Sequence, residues 1–472
     1  MNVSYGKVTS DIVAELYEIA GKANVIWGDP EKLESYSHDE TAGKKYAVLP
    51  DVVVRAGTTA EVAAVMKLAS RHRIPVTPRG AGSGLSCGAV PVCGGIVLSI
   101  DRMNRILEID AENMTVTVEP GVVTNDIDKA VEEMGLFFAG YPMSLETCFI
   151  GGNVAENAGG GKAVKYGVTG RYILGLEVVL PDGEIMNLGG KRVKDVTGYD
   201  LIHLLVGSEG TLGIFTKIIV KLLPLPKATV SLLVLFHTVQ EAIDAVPGIM
   251  TEAGIIPTSI EFMDKLSFVA SCRYLNETLS YEEAGAMLLL EVDGSDTEQV
   301  ERDYDAVGEL CMRKGAVEVY VADNHTTRER IWRIRRNIAE AFKVSHPVQS
   351  LEDIVVPTAS IPALMPELAR VSERFGVTIP SYGHAGDGNL HATVLKAPEM
   401  PDKEWETVLP QVLTELYRSV AALGGTISGE HGIGSKRRDF LSLVLDEVTI
   451  ALMRRIKQAF DPQGILNPGK II

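Results

Sequence analysis

The feature that most restricts what this chain can fold into is the gathering of glycine into three segments between Gly80 and Gly213. The first, Arg79-Gly-Ala-Gly-Ser-Gly-Leu-Ser-Cys-Gly88, follows a short strand-like run at Pro75–Pro78. The second is GGNVAENAGGG, Gly151–Gly161, and the third is GSEGTLG, Gly207–Gly213. Without a Cβ, successive backbone N–H groups can turn toward an anion unobstructed. Three such clusters point to several loops wrapping one large ligand, although the first alone reads as well as a surface turn. A nicotinamide site of the Rossmann kind needs Gly-x-Gly-x-x-Gly opening a long helix, with an acidic residue about 20 positions later. Here the glycines run on into Leu85-Ser-Cys-Gly88 and then Pro91, so no long helix opens. That weighs against a nicotinamide cofactor.

At roughly 100–200 residues per domain, a chain of 472 residues predicts two to four domains. Hydrophobic residues make up 46% and charged residues 23%, an ordinary globular balance able to bury a large core. Lys plus Arg is 45 and Asp plus Glu is 62, a net charge of −17. That argues against nucleic acid as a partner and leaves room for a local basic pocket. The five cysteines, Cys87, Cys93, Cys148, Cys272 and Cys311, form no Cys-x-x-Cys. No zinc ribbon or cysteine-ligated iron–sulfur cluster is legible, and a reducing compartment fits best. The N-terminal stretch lacks an apolar signal core, and the most apolar run, Leu212–Leu225, is broken by Lys217 and Lys221. A soluble, cytoplasmic protein with no transmembrane segment is expected.

Apolar positions Val62, Val65, Met66 and Ala69 recur at helical spacing and predict a helix capped by Thr59 and running to about His72. Gly175–Leu180, a Pro181-Asp182-Gly183 turn and Glu184–Leu188 predict a hairpin. The composition shifts at Pro224-Leu-Pro226. Beyond it strands alternate with helices, including one long helix around Thr326–Lys343, and the chain closes with an amphipathic helix over Val448–Phe460. The pattern is that of an α+β protein with layered sheets and helices.

The stretches PRGAGSGL (Pro78–Leu85), TCFIGGNVAENAGG (Thr147–Gly160), VKYGVT (Val164–Thr169), VVLPDGE (Val178–Glu184) and GSEGTLGI (Gly207–Ile214) occur in one order. Together they resemble FAD-linked oxidoreductases of the glycolate oxidase D subunit / D-lactate dehydrogenase group, within the vanillyl-alcohol-oxidase-type flavoproteins. The resemblance covers nearly the whole chain. It implies a FAD-binding lobe of two α+β subdomains (1–225), an α+β, ferredoxin-like substrate or cap lobe (226–425), and a C-terminal segment (426–472) that returns to the FAD lobe. It implies that Pro78, Arg79, Gly80, Ala81, Gly82, Ser83, Gly84 and Leu85 belong to the FAD site, with the diphosphate held by the backbone amides of Gly80–Leu85. Gly152, Asn153, Asn157 and Gly160 would approach the flavin ring and diphosphate, with Glu209 and Gly213 toward the adenine and ribitol side. Asn467, in the closing Leu-Asn-Pro-Gly-Lys, would touch the flavin; its other reading is a helix-terminating turn. Some relatives tether the flavin to a histidine in the first loop. This loop has none, so FAD is expected to be non-covalent.

His384-Ala-Gly-Asp-Gly-Asn-Leu-His391 sets two of the nine histidines seven residues apart. Gly383, Gly386 and Gly388 argue against a helix there, and in one continuous strand an odd separation turns the two side chains to opposite faces. They converge only if the Gly-Asp-Gly-Asn segment turns. Taken singly, each is as well read as a loop histidine making ordinary hydrogen bonds. With Glu430-His431-Gly-Ile-Gly434, the pair resembles the family's motif pair. That implies a divalent metal, zinc, iron or manganese, on His384, His391 and Glu430. His431 then serves as general base, its side chain diverging from Glu430 in an extended segment. The helix carrying Glu329-Arg330-Ile-Trp332-Arg333-Ile-Arg335-Arg336 reads alone as a solvated charged face. Relatives carry Trp-x-x-Arg there, which makes Arg335 the substrate-carboxylate clamp. Asn389 would touch substrate or a metal-bound water. Lys436 would lend charge to substrate or flavin, a solvated surface lysine being the alternative.

These assignments describe an enzyme that oxidises a small D-2-hydroxy acid, D-lactate or glycolate, to the 2-oxo acid by hydride transfer to FAD. D-2-hydroxyglutarate is the rival substrate. With no nicotinamide site or cysteine cluster, electrons would leave to an electron-transfer flavoprotein, an iron–sulfur subunit or a quinone. A homodimer is compatible with the sequence. The alternative of another class is a non-catalytic, flavin-carrying electron-transfer subunit.

Overall fold

The computed structural model describes residues 4–277, 283–322 and 324–472. The chain divides into two compact units. The first comprises Met1–Gly159, Val168–Pro224 and Glu430–Ile472, and the second Gly160–Gly167 with Leu225–Gly429. The sequence places one boundary near 225 and another near 425. It does not foresee the excursion of Gly160–Gly167, which leaves the first unit for eight residues to pack in the second.

The first unit holds two main sheets. One is ordered β1-β2-β4-β3, from β1 Val25–Trp27, β2 Val52–Arg55, β3 Val76–Arg79 and β4 Ile96–Ser99. β2 and β3 both pair parallel with β4. A strand sheltered on both faces carries a continuous apolar run rather than alternation, as Val52, Val53 and Val54 do in full burial. The helix Thr59–His72 packs Val62, Val65, Met66 and Ala69 into this core and is capped by Thr58 through the Glu61 amide. The second sheet is antiparallel, ordered β5-β6-β10-β8-β9: β5 Ile106–Asp110, β6 Thr115–Val118, β8 Ile173–Val179, β9 Ile185–Gly189 and β10 Ile214–Lys221. Separately, β7 Leu136–Phe137 pairs with β11 Leu223–Pro224. The chain end joins the first sheet at its edge. Val76 N–H donates to Ile465 O, Asn467 N–H donates to Val76 O, and Ile465 and Leu466 enter the core.

The second unit is built on one antiparallel sheet ordered β15-β12-β14-β13-β17-β18-β16. Its strands are β12 Ala228–Phe236, β13 Ser259–Asp264, β14 Ala286–Gly294, β15 Glu318–Ala322, β16 Gln349–Val355, β17 Ser381–His384 and β18 Asn389–Leu395. The predicted long helix is two, His325–Arg336 and Ile338–Ser345. Asn337 ends the first at ψ 8°, and its side-chain amide donates to the Arg333 carbonyl, which supplies the break. No helix among the described residues is long and apolar enough to cross a membrane.

Candidate active site

The first glycine loop leaves β3 at Arg79. Gly82 sits at φ +76°, a conformation that glycine adopts without strain. The backbone N–H groups of Gly80 through Leu85 meet no acceptor among the described residues. A run of unpaired amides on a glycine turn is an anion cradle, and it fits the diphosphate of a dinucleotide. Two buried polar atoms in the same unit, Ser208 Oγ and Asn467 Oδ1, also lack a hydrogen bond among the described residues. A buried polar atom without a partner is costly in a finished site, so these too fit a polar ligand.

Several of the residues assigned to FAD are engaged by protein instead. The Arg79 guanidinium is buried, donates to the carbonyls of His38 and Ser35 and lies over the Tyr36 ring, so its side chain braces a neighbouring loop. Asn153 donates to Thr124 Oγ1 from a short helix, Ile150–Glu156, inside the segment that reads as pure loop in the sequence. Asn157 caps that helix at φ +54° and accepts from the Gly170 amide. A Cβ at Gly213 would meet Val178 at 2.4 Å, so this glycine answers to packing. Gly152 is open, with nothing near its Cβ position. Gly160 belongs to the second unit, not to the FAD lobe assigned from sequence. Asn467 donates to the carbonyls of Gly88 and Glu209, tying the chain end to the first and third glycine loops.

Glu209 is buried at φ +50°, and its two oxygens accept from the amides of Ile433 and Gly434. It therefore clamps the segment carrying His431. Burial pushes its carboxyl above the ordinary range, and the Ile433 and Gly434 amides oppose that rise. Beside it, Glu156 is raised well above the ordinary value by burial, then by Glu209 and Asp39. A Cβ on Gly432 would strike Glu156 at 2.0 Å, so only glycine fits there. Arg437, fully buried, donates to the Gly432 carbonyl, and Lys436 N–H donates to the Ser86 carbonyl. Lys436 itself is buried, against the surface reading of a lysine. Glu430 Oε1 stands 3.8 Å from His431 Nε2, so these neighbours approach rather than diverge. A Cβ at Gly159 would lie 3.2 Å from Glu430 Oε2, so glycine admits this close approach.

The second unit gathers the other assigned side chains on its sheet. β17 and β18 form a hairpin in which His384 pairs with Asn389 and the short helical turn Ala385–Asp387 joins them, with Gly388 at φ +86°. His391 lies two residues beyond Asn389 and so returns to the face that His384 occupies. The ring centroids stand 5.4 Å apart and both residues are buried. His384 Nδ1 is 2.6 Å from Glu261 Oε1, and His391 Nδ1 is 3.8 Å from Asp353 Oδ1. Asp353 also accepts from Asn389 Nδ2, Ser428 Oγ and the Gly429 amide, so Asn389 is held by protein. Arg335 is buried and pairs with Glu261 Oε2 at 2.6 Å. Arg330 and Arg333 of the same helix face outward to Glu277 and Arg336 to Glu329, while Arg328 donates to the Thr229 carbonyl. Trp332 shares the inward face with Arg335 and donates to Ser231 Oγ. Burial raises Glu261, but Arg335, His384 and His391 together hold it below the usual carboxylate range. Two adjacent imidazoles, one backed by the Glu261 carboxylate and the other 3.8 Å from that of Asp353, fit a divalent metal with nitrogen and oxygen ligands. Glu430 lies one peptide bond past Gly429, where the division between the units falls.

Sequence reasoning missed Glu261, Asp353, Tyr382, Glu156 and Arg437. Glu156 stands inside the second glycine cluster but drew no role there; for Glu261 and Asp353 the available signal was a charged residue inside an apolar strand run, as in Ser-Ile-Glu-Phe-Met.

Residues 50–189 match a FAD binding domain model, and residues 225–471 match the C-terminal domain of FAD linked oxidases. The glycolate oxidase D subunit of Bacillus subtilis is 40% identical over 98% of this chain and 97% of its own. The D-lactate dehydrogenase of Anaerostipes hadrus is 39% identical over 99% of this chain and 98% of its own. Among solved structures, p-cresol methylhydroxylase superposes with a TM-score of 0.81 at 19% identity, covering 99% of this chain and 98% of that one, which shows the shared fold. The chain is thus a FAD-linked oxidoreductase of the family that contains D-lactate dehydrogenase and the glycolate oxidase D subunit.

Proposed function

We propose that this enzyme dehydrogenates a small D-2-hydroxy acid, D-lactate or glycolate, to the 2-oxo acid. The observation that carries the reading is the buried His384–His391 pair beside Arg335, in a chain whose relatives are named for lactate and glycolate. FAD, when bound, supplies the hydride acceptor. His384, His391 and Glu430 would hold a divalent metal, which supplies Lewis acidity to the substrate oxygens when bound. Arg335 holds the substrate carboxylate, since a guanidinium offers two parallel donors. His431 takes the hydroxyl proton on an imidazole nitrogen. Asn389 and Lys436 contribute polar contacts to the substrate. Electrons then pass to a protein acceptor, an electron-transfer flavoprotein or iron–sulfur subunit, or to a quinone. A soluble, cytoplasmic location and a homodimer are consistent with this reading.

The test is anaerobic flavin bleaching by D- and L-lactate, glycolate, malate and D-2-hydroxyglutarate, with and without chelator. D-lactate or glycolate should bleach fastest. A flavin that no 2-hydroxy acid reduces would favour the non-catalytic electron carrier. His431→Ala should keep FAD and lose bleaching by roughly a hundredfold or more.

A further inference from the structure

Glu261 is fully buried on β13, one of the inner strands of the sheet, opposite His384 in the ladder. A carboxylate in that position is costly unless its charge is met. Its two oxygens are divided between two partners. Oε1 stands 2.6 Å from His384 Nδ1 and Oε2 stands 2.6 Å from Arg335 Nη2. The circuit closes on the far side. Arg335 lies 5.3 Å over the Tyr382 ring, Tyr382 stands 5.3 Å from His391, and His391 stands 5.4 Å from His384. The backbone of Gly161 comes close enough that a Cβ there would lie 2.7 Å from Glu261 Oε1.

We propose that Glu261 is a positioning residue that fixes the His384 tautomer and the place of Arg335 at once. Paired with Arg335, Glu261 is an acceptor only, so the neutral imidazole carries its proton on Nδ1 and presents a bare Nε2. An imidazole that ligates a metal typically donates its other ring N–H to a carboxylate, which fixes the ring and strengthens the ligand. The second oxygen sets Arg335 at a fixed separation from that nitrogen. One buried side chain thereby couples the group assigned to metal with the group assigned to substrate carboxylate. The inference rests on the reading of His384 as a ligand and Arg335 as the clamp.

The test uses full-length, FAD-loaded protein, labelled with ¹⁵N-histidine and stripped of metal. Long-range ¹H–¹⁵N correlation spectra report each tautomer, and His384→Asn assigns the signal. His384 should carry its proton on Nδ1 in the wild type and shift toward Nε2–H in Glu261→Gln. A wild-type Nε2–H tautomer overturns the proposal, and this readout stands even if the variant fails to fold. Zinc and manganese affinities by chelator competition form the second arm. Glu261→Gln should bind roughly 10–100-fold more weakly with unchanged FAD content. Equal affinity in variant and wild type overturns the proposal. A wild type that binds neither metal defeats the metal reading instead, and the tautomer then decides the role of Glu261.

Discussion

At Gly161 one added carbon would reach the charged heart of the second unit. Its φ is not left-handed, so the backbone accepts alanine, and the obstacle is the carboxylate 2.7 Å from the Cβ position. Gly161→Ala should therefore fold and keep FAD, while displacing Glu261 from His384. Turnover should fall roughly tenfold or more, with a stability loss of about 1–3 kcal/mol. Steady-state kinetics beside thermal melting would check it; full activity would mean that the close approach is dispensable. The cysteines make a second prediction at this scale. Burial pushes the Cys87 and Cys272 thiols up to about 11 and Cys311 to about 12, and Cys148 is buried; partial burial raises Cys93 too, but it alone of the five is exposed. Near pH 8 a thiol reagent should modify one residue rapidly, found by peptide mapping to be Cys93.

Elements with a strong period were legible from residues alone. The helix Thr59–His72 and the hairpin of β8 and β9 lie where the apolar spacing and the Pro-Asp-Gly turn put them. The helix inside GGNVAENAGGG was not, because glycine hides helical pattern and only the fold supplies its partners. Nor was the break at Asn337, which depends on one side-chain hydrogen bond. The turn between His384 and His391 could be demanded on geometric grounds, but not the carboxylates behind them. Glu261 meets His384 only through strand pairing between segments more than a hundred residues apart. The same holds for Glu209, whose partners Ile433 and Gly434 lie in the returning C-terminal segment. Glu209→Ala would leave two amides unmet and should cost about 2–4 kcal/mol, read from denaturant unfolding of the apoprotein. That segment also predicts a pH dependence. Burial lowers Lys470 from 10.5 to about 8. Between those values the unfolded chain keeps a proton that the folded chain has shed, so this residue makes stability rise with pH from about 8 to 10.5. Below about 8 both states hold the proton and the slope vanishes. Lys470→Met should flatten the alkaline limb of the melting-temperature profile.

The molecule as a whole is organised by an exchange of chain that neither length nor composition announces. The sequence suggests cutting the second unit out at about 225 and 425, yet Gly160–Gly167 belongs to it. This short segment is not passively laid on. Lys165 Nζ meets Asp293 Oδ1 at 2.5 Å and its carbonyl at 2.7 Å, and Tyr166 OH donates to the same carboxylate. Lys162 stands 3.8 Å from the buried Glu291, and Val164 lies within 3.2 Å of where a Cβ on Gly386 would sit. Asp293 and Glu291 are buried acids that meet lysines of this segment, and leaving one such charge unmatched costs about 3–5 kcal/mol. A fragment of residues 225–429 should therefore melt far below one to which 160–167 is fused by a flexible linker. Lys165→Met in the fused fragment should undo much of the gain, because the Asp293 carboxylate then loses its cation. Fragments with and without the segment that melt alike would show that the sheet and its helices suffice. In that case the segment merely follows the unit rather than completing it.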